Sequence, residues 1–318
     1  MTSCRKRLIQ PRSSRGGETA ISTSRSRSSR DVVKGSAMLS CALVVFLVVC
    51  GPAVAEDSRP HVAFVIGTLH YSPDLSVPLL APELQRFGFR TTVVIGEGDP
   101  EEKAENVLPG IEVLDEADVA VFFTRFLNLP DDEWAPIENY LKSGKPVIGL
   151  RTANHSFRYD KSHPRFDWND GFGRRVLGTP YVAHQAGTTP ISVVAKNRTH
   201  PVLSHLPKFR WTSPGSLYLT RLEGGVIPLL TGTGEGKARL LERDFGPVQI
   251  SEREADIVAW TWRNEWGGEV FATTLGHPGD FAEESFVRML INAIHWVAGK
   301  APPGPDVEIS TWEVRPVN

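Results

Sequence analysis

The sequence predicts an α/β protein with a mostly parallel, doubly wound sheet and an antiparallel hairpin extension. Runs of consecutive apolar residues, typical of strands buried on both faces, alternate with stretches of helical spacing. Closer to the C-terminus, two further apolar runs flank a short turn, which is the pattern of a β-hairpin.

Four near-continuous apolar runs are predicted to form the parallel part of the sheet. They cover residues 61–66, 91–95, 118–123 and 146–150. Between the first two runs, residues 77–87 have helical spacing and Gly88 is a helix stop. A second helix is predicted over residues 131–143, with Asp131 or Asp132 as its cap.

The second half of the chain is less regular. Residues 154–190 lack a period, apart from one short helix near 172–177. Strands are then predicted at residues 191–195, 215–219 and 226–230. The glycine-rich segment 231–236 is predicted to be a mobile turn, because no helix follows whose N–H groups could hold a phosphate.

The C-terminal part is predicted to hold a hairpin, a helix and a tail. The two strands of the hairpin are residues 256–262 and 269–275. The helix is predicted to begin at a capping box of Asp280 and Glu283. The proline-rich tail, residues 301–318, is expected to be loosely attached.

The near-neutral formal net charge of −2 hides an uneven distribution. Residues 1–36 hold nine Lys and Arg against two acidic residues, and residues 37–55 hold no charge. Because the whole chain has 35 basic and 37 acidic residues, residues 56–318 hold 26 and 35, a charge of about −9. This acidic body argues against nucleic-acid binding, which needs a basic face for phosphates.

The first 55 residues are predicted to be a signal peptide with a long basic region. A Ser/Arg-rich stretch precedes about 14 apolar residues, 37–50, and the small-x-small site Ala53-Val54-Ala55 follows. Cleavage near Ala55 would export the protein to the periplasm or the extracellular space. The alternative is a membrane anchor formed by residues 37–50, which is short of the roughly 20 residues of a full span.

All three cysteines, Cys4, Cys41 and Cys50, precede the predicted cleavage site. The mature chain would therefore have no disulfide, no thiolate metal site and no cysteine nucleophile. No H-E-x-x-H or H-x-x-E-H spacing occurs either, and neither a metal nor another cofactor is predicted.

The strongest candidate site follows the fourth predicted strand. Arg151, Asn154 and His155 supply a cation, an amide and a titratable imidazole where the chain leaves a buried strand. Ligands of open α/β sheets bind at this carboxyl edge. The alternative is an ordinary surface turn with polar residues.

Two further histidines follow predicted strands. His277 lies between the second strand of the hairpin and the last helix, and His70 follows the first strand. Both are predicted to line the same cleft. A lone histidine at such a position is as often structural as functional.

An ordered set of segments resembles the ThuA-like (trehalose utilisation) family over residues 60–300. These segments are residues 140–150 with 154–157, 199–207, 271–277 and 295–299. The resemblance implies a flavodoxin-like fold of the class I glutamine amidotransferase-like superfamily and a role in carbohydrate metabolism.

Amidotransferases of that superfamily carry G-x-C-x-G after a central strand and a later His-Pro-Glu. Here Arg151 stands in the position of the cysteine, and His277 is followed by Pro278 and Gly279. A guanidinium cannot attack a carbonyl, so the resemblance does not extend to amidotransferase chemistry.

Two functions stay open. In the first, the exported protein is an enzyme acting on a sugar or keto-sugar. His277 or His155 would then be the general acid/base, and Arg151, Asn154 and His70 would bind the substrate. In the second, it is a non-catalytic carbohydrate- or partner-binding domain with a decayed amidotransferase-like site. Both predict a small carbohydrate-like ligand and membrane contact only through an uncleaved signal segment.

Overall fold

The computed structural model describes residues 57–98 and 106–315. The predicted signal peptide, including Ala55, lies outside these residues. The chain from Glu56 onward forms one compact unit. Within the described ranges, no helix is long and apolar enough to cross a bilayer.

Short strands and helices make up this unit. Its strands are β1 (His61–Gly67), β2 (Arg90–Ile95), β3 (Val119–Thr124), β4 (Val147–Leu150), β5 (Ala183–Gln185), β6 (Thr189–Val193), β7 (Arg210–Ser213), β8 (Leu217–Leu219), β9 (Ile227–Glu235), β10 (Arg239–Leu241), β11 (Val248–Ile250), β12 (Arg253–Arg263) and β13 (Glu269–Thr273). Its α-helices are α1 (Pro73–Ser76), α2 (Leu80–Arg86), α3 (Asp131–Lys142), α4 (Trp168–Gly171) and α5 (Glu284–Val297). Single turns of 3₁₀-helix lie at Val77–Leu79, Ile111–Asp115, Arg151–His155, Ala195–Asn197, Pro201–Leu203 and Pro278–Ala282, and a π-helical turn at Phe172–Leu177.

Nine strands form one mixed sheet in the order β2-β1-β3-β4-β13-β12-β9-β6-β7. The first five are parallel to their neighbours, and the pairs from β13 to β7 are antiparallel. The carboxyl ends of β1, β3, β4 and β13 therefore meet at one edge. Because β12 and β6 run in the opposite direction, β12 starts at this edge and β6 ends at the other.

Both faces of the parallel half are covered. Val62, Phe64 and Ile66 of β1 belong to the core beneath α2 and α5, whereas Ala63 and Val65 belong to the core beneath α3. Every residue of β1 is buried. Burial on both faces is why these strands are continuous apolar runs, and it confirms the predicted parallel sheet and its antiparallel extension.

The predicted mobile turn at residues 231–236 was wrong, because β9 continues to Glu235 and pairs with β12. Its glycines give room for close packing. A Cβ on Gly232 would lie 2.6 Å from Thr189 Cγ2, and one on Gly234 would lie 2.9 Å from Leu217 Cβ. The glycines therefore serve a strand crossed closely by its neighbours.

Two predicted helix caps were also wrong. Pro130 occupies the cap position of α3, so Asp131 is its first helical residue. At the other helix, Glu283 is the cap of α5, and its side chain accepts from Ser285 N at 3.1 Å. Asp280 instead belongs to the preceding 3₁₀ turn, whose capping box it forms with His277.

The tail is firmly packed over residues 301–315, contrary to expectation. Ser310 donates through its N and Oγ to the buried carboxylate of Glu83, at 3.2 and 3.0 Å. Buried Arg288 donates to Val307 O at 2.7 Å, and Trp312 N donates to Phe281 O at 2.8 Å. These bonds tie the tail to α2 and α5, so its proline content does not make it loose.

Candidate functional site

The backbone is strained at the edge where the parallel strands end. Among the described residues, five non-glycine residues have a positive φ, and four of them follow parallel strands. They are Tyr71 and Ser72 after β1, Phe126 after β3 and Arg151 after β4. Such a conformation costs about 1–3 kcal/mol and occurs mostly at active sites and ligand clamps. We therefore place the candidate site at this edge.

Arg151 begins the turn that leaves β4, and its guanidinium lies inside the protein. Its φ is 49°, and the residue is 1% exposed. Nη1 donates to Thr274 O at 2.7 Å and to Ser216 O at 3.3 Å, and Nη2 donates to Ser216 Oγ at 3.1 Å. Because arginine stays protonated in proteins, this is a buried positive charge.

Two tyrosine rings enclose that charge. Arg151 Cζ lies 4.2 Å from the ring centroid of Tyr71 and 4.5 Å from that of Tyr218, which are cation–π distances. Gly215 packs against the same group. A Cβ on Gly215 would lie 3.1 Å from Arg151 Cζ and 3.0 Å from His277 Cβ. Arg151 and His277 are therefore neighbours across one glycine.

His277 is half-buried and caps the turn Pro278–Ala282. Its Nδ1 accepts from Gly279 N at 3.1 Å, and its own N donates to Asp280 Oδ2 at 2.9 Å. Because Nδ1 accepts an N–H, the neutral ring carries its proton on Nε2, at the opposite side. Burial lowers the pKa of His277, Asp280 opposes that shift and Arg151 adds to it. The ring is therefore neutral near pH 7.

His155 is buried, and the preceding side chain holds its ring. Its Nδ1 lies 2.7 Å from Asn154 Oδ1, and because that oxygen accepts, Nδ1 carries the proton. The ring centroid lies 4.4 Å from that of Tyr181 and 5.3 Å from that of Phe126. Burial, followed by the charge of Arg125, lowers the pKa of His155 well below its ordinary value.

His70 packs against Tyr71, which packs against His277. Its ring centroid lies 4.2 Å from that of Tyr71, which in turn lies 5.9 Å from that of His277. The residue as a whole is exposed to solvent. Partial burial of its ring, followed by the positive charges of Arg125 and Arg151, lowers the pKa of His70 to about 4.

The antiparallel pair β5–β8 adds a fourth histidine to this edge. His184 of β5 pairs in register with Tyr218 of β8, and their ring centroids are 5.9 Å apart. His184 Nδ1 also lies 2.7 Å from the hydroxyl of Tyr181. Three tyrosines and four histidines thus lie around Arg151 and His155. We call them the Tyr/His cluster: Tyr71, Tyr181, Tyr218, His70, His155, His184 and His277.

A cleft of about 250 Å³ opens beside His155. Its lining includes Phe126, His155, Arg158, Asp170, Tyr181 and Arg243. A larger cavity of about 620 Å³ lies between the loop before β6 and strands β9 and β12, and its lining includes no histidine or tyrosine. We place the ligand at the smaller cleft, because its wall holds the perturbed imidazole of His155 and the strained residue Phe126.

No group of three or more His, Cys, Asp or Glu residues that could hold a metal ion occurs in residues 57–98 and 106–315. The imidazoles of the Tyr/His cluster are held instead by aromatic rings, amides and backbone.

Three of the five predicted site residues lie at the protein surface or in the wall of the cleft. His277 is half-buried, His70 is exposed, and His155 lines the cleft. Arg151 and Asn154 are 1% and 3% exposed, so they lie beneath the cleft and not in it. Their side chains act on neighbouring residues, which differs from the direct ligand contact expected from sequence.

The tyrosines of the cluster were missed. Tyr71 directly follows His70 at the end of β1, and that position is a signal available from the sequence. Tyr181 and Tyr218 carry no such signal, because Tyr181 precedes β5 and Tyr218 lies in the three-residue β8. Strands of that length are too short to show a period.

These features define an α/β protein whose mostly parallel sheet presents a strained, histidine-rich carboxyl edge. The chain belongs to the ThuA family, described as trehalose utilisation, whose model matches residues 70–297. That family relates it to carbohydrate metabolism. No curated protein matches it.

Two solved structures are similar to this chain. A ThuA-like protein from Parabacteroides merdae has a TM-score of 0.52 and 17% identity, covering 77% of this chain and 92% of its own. A ThuA-like protein from Bacteroides uniformis has a TM-score of 0.47 and 17% identity, covering 79% and 98%. At this identity the first of them supports the fold alone.

Proposed function

We propose that the protein is an exported enzyme that converts a sugar or keto-sugar by proton transfer at the Tyr/His cluster. The observation that carries this proposal is the concentration of strained backbone around neutral imidazoles at the carboxyl edge. Strain of this kind persists only where the surroundings impose it, and three separate loops impose it here.

His277 is the proposed hydrogen-bond donor of the site. The cap at Gly279 N occupies Nδ1, so the neutral ring presents Nε2–H on its other side, and a neutral imidazole can polarise a substrate carbonyl through such a donor. His155 is the proposed general base, because a base must be neutral at working pH and must keep one ring nitrogen free to accept a proton. Asn154 Oδ1 holds Nδ1–H of His155, which leaves Nε2 as the acceptor.

Amidotransferase chemistry is not proposed. Arg151 keeps the left-handed backbone of an elbow after β4 but has no nucleophilic atom. The three cysteines of the chain all lie at or before residue 50. A decayed site that only binds carbohydrate is the second candidate, and Arg151 and Gly279 favour it, since they stand where the amidotransferases have Cys and Glu.

The cleft beside His155 suits a carbohydrate. Tyr181 and Phe126 offer aromatic surface to the apolar face of a sugar, and Asp170 and Arg243 offer hydrogen bonds to its hydroxyl groups. Trp260 does not take this role, because it is a core residue whose Nε1 donates to Leu177 O at 2.7 Å.

Export rests on the basic region, the apolar run 37–50 and the site at Ala53-Val54-Ala55. N-terminal sequencing of protein recovered from cells tests it. A chain beginning at Glu56 agrees with export, and a chain that retains residues 37–50 indicates the membrane-anchored alternative.

The decisive experiment uses the chain from Glu56 onward. It is incubated with a panel of sugars and keto-sugars, products are identified by mass spectrometry, and binding is measured in parallel by calorimetry. Turnover that His277→Asn abolishes supports the enzyme. Binding without turnover for every sugar on the panel supports the binding domain instead.

A further inference from the structure

The buried charge of Arg151 has an unusual environment. Its described hydrogen-bond acceptors are two carbonyl oxygens and one hydroxyl, and no carboxylate among the described residues pairs with it. A buried cation without an anion is costly, and cation–π contacts recover about 0.5–2 kcal/mol each. The site is therefore poised to hold negative charge beside Arg151.

Tyr71 is the residue best placed to carry that charge. Its ring lies 4.2 Å from Arg151 Cζ, and Arg151, Tyr218 and Ser216 all act to lower the pKa of its hydroxyl. Its backbone is left-handed, with φ of 70°, so the loop after β1 holds the ring in this place at the expense of strain. Tyr71 is only half-buried, whereas Tyr218 is 3% exposed.

We infer that Tyr71 is a further catalytic residue, which gives its phenolic proton to an oxygen atom of the substrate while Arg151 stabilises the phenolate. The inference rests on the proposed function. The O–H bond of Tyr71 breaks, an O–H bond forms on the alkoxide or enolate oxygen of the sugar, and the electron pair remains on the phenolate. A proton from the solvent then restores the phenol of Tyr71. Arg151 is a positioning residue, since it acts through Tyr71.

The surrounding charges agree with this role. Burial raises the pKa of Tyr71, but Arg151, Tyr218 and Ser216 together outweigh burial, so the pKa of Tyr71 is lowered overall. Burial raises the pKa of Tyr218, which therefore keeps its proton. The other titratable or charged groups that face Tyr71 are His70, His277, Arg125 and Tyr181.

The chain contains five tyrosines, and burial raises the pKa of the other four, Tyr140, Tyr159, Tyr181 and Tyr218. A phenolate absorbs in the near ultraviolet where a phenol does not. Titration of the chain from Glu56 onward should therefore show one fifth of the absorbance change below the ordinary tyrosine pKa of about 10.

Variants assign that step. Tyr71→Phe should remove it, whereas the matched control Tyr181→Phe should keep it and lose an equal part of the later change. Arg151→Lys should keep an early step, and Arg151→Met should move it above about pH 10. If Arg151→Met fails to fold, as judged by circular dichroism, the two tyrosine variants still decide.

Five phenols that ionise together above about pH 10, or an early step that survives in Tyr71→Phe, would overturn the inference. With any sugar that the panel shows to react, Tyr71→Phe should lower kcat and leave KM nearly unchanged, and an unchanged kcat would also overturn it. Because the titration needs no substrate, an early step without turnover of any sugar marks failure of the proposed enzyme function and not of the acid at Tyr71.

Discussion

His277 has two separable roles, and a pair of substitutions distinguishes them. Its Nδ1 caps a 3₁₀ turn by accepting from Gly279 N at 3.1 Å, and its Nε2–H is the proposed donor to the substrate. His277→Ala removes both. His277→Asn keeps a side-chain acceptor at the cap, where asparagine is favoured, but removes the imidazole. The two bonds that Asp280 Oδ2 accepts come from backbone N–H groups and survive in both variants.

The expected magnitudes follow from these contacts. Loss of one cap bond costs about 1 kcal/mol, which in a domain of this size lowers Tm by about 2–4 °C. His277→Ala should therefore be less stable than His277→Asn by about that amount in urea denaturation. Both should lose kcat by about 10²–10³-fold, the usual contribution of one hydrogen-bond donor to a developing negative charge.

His200 provides a matched control within the same chain. It also precedes a proline and caps a 3₁₀ turn, with Nδ1 accepting from Val202 N at 3.2 Å. It follows β6, which ends at the opposite edge of the sheet. His200→Ala and His200→Asn should reproduce the difference in stability but leave kcat unchanged. Turnover by His277→Asn at the wild-type rate would refute the catalytic role of His277.

Three further outcomes are expected. Gly173→Ala should destabilise the fold by about 1–3 kcal/mol in urea denaturation. The new Cβ would lie 2.4 Å from Asn154 O and 2.5 Å from Thr179 O, which are backbone atoms. A variant as stable as the wild type would contradict this packing. Glu83→Ala should release the tail, seen as faster cleavage within residues 301–315 in limited proteolysis, because Ser310 loses its acceptor; an unchanged cleavage rate would show that other contacts suffice. Stability should fall as pH drops from about 7 to 5, because burial lowers the folded-state pKa of seven of the nine histidines. From about pH 6.5 downward the unfolded chain then binds more protons than the folded chain. Urea midpoints that do not change with pH would contradict this prediction.

The parallel half of the fold could be predicted because burial on both faces leaves a simple trace in sequence. Strands β1, β3 and β4 are apolar at nearly every position, and the chain between them has helical spacing. The antiparallel half could not be predicted as well. In β9, Gly232 and Gly234 allow neighbouring side chains to pack closely against the strand. The sequence alone does not distinguish a glycine needed for close packing from a glycine in a turn.

The candidate site could also be predicted only in part: the positions of its residues along the sheet edge could be predicted, but their burial could not. Arg151 and His277 leave strands of the parallel half, so their convergence follows from the direction of β4 and β13. The depth of Arg151 does not follow from sequence, since it depends on Tyr218 and Gly215, which arrive from a segment without a period. Burial of a side chain by distant segments is a tertiary effect that local patterns do not contain.

That depth also bears on the choice between an enzyme and a decayed site. A strained elbow and a buried cation without a carboxylate are both unfavourable for folding, and neither is needed to close the turn after β4. In a domain that only binds, a residue with an uncharged side chain in place of Arg151 would be less costly. In an enzyme whose intermediate is an alkoxide or an enolate, the same cation stabilises the negative charge that develops on Tyr71, in a site where water screens it little. The charge of Arg151, which no carboxylate among the described residues pairs with, therefore favours proton-transfer catalysis. The near-ultraviolet titration of Tyr71 tests this before any substrate is known.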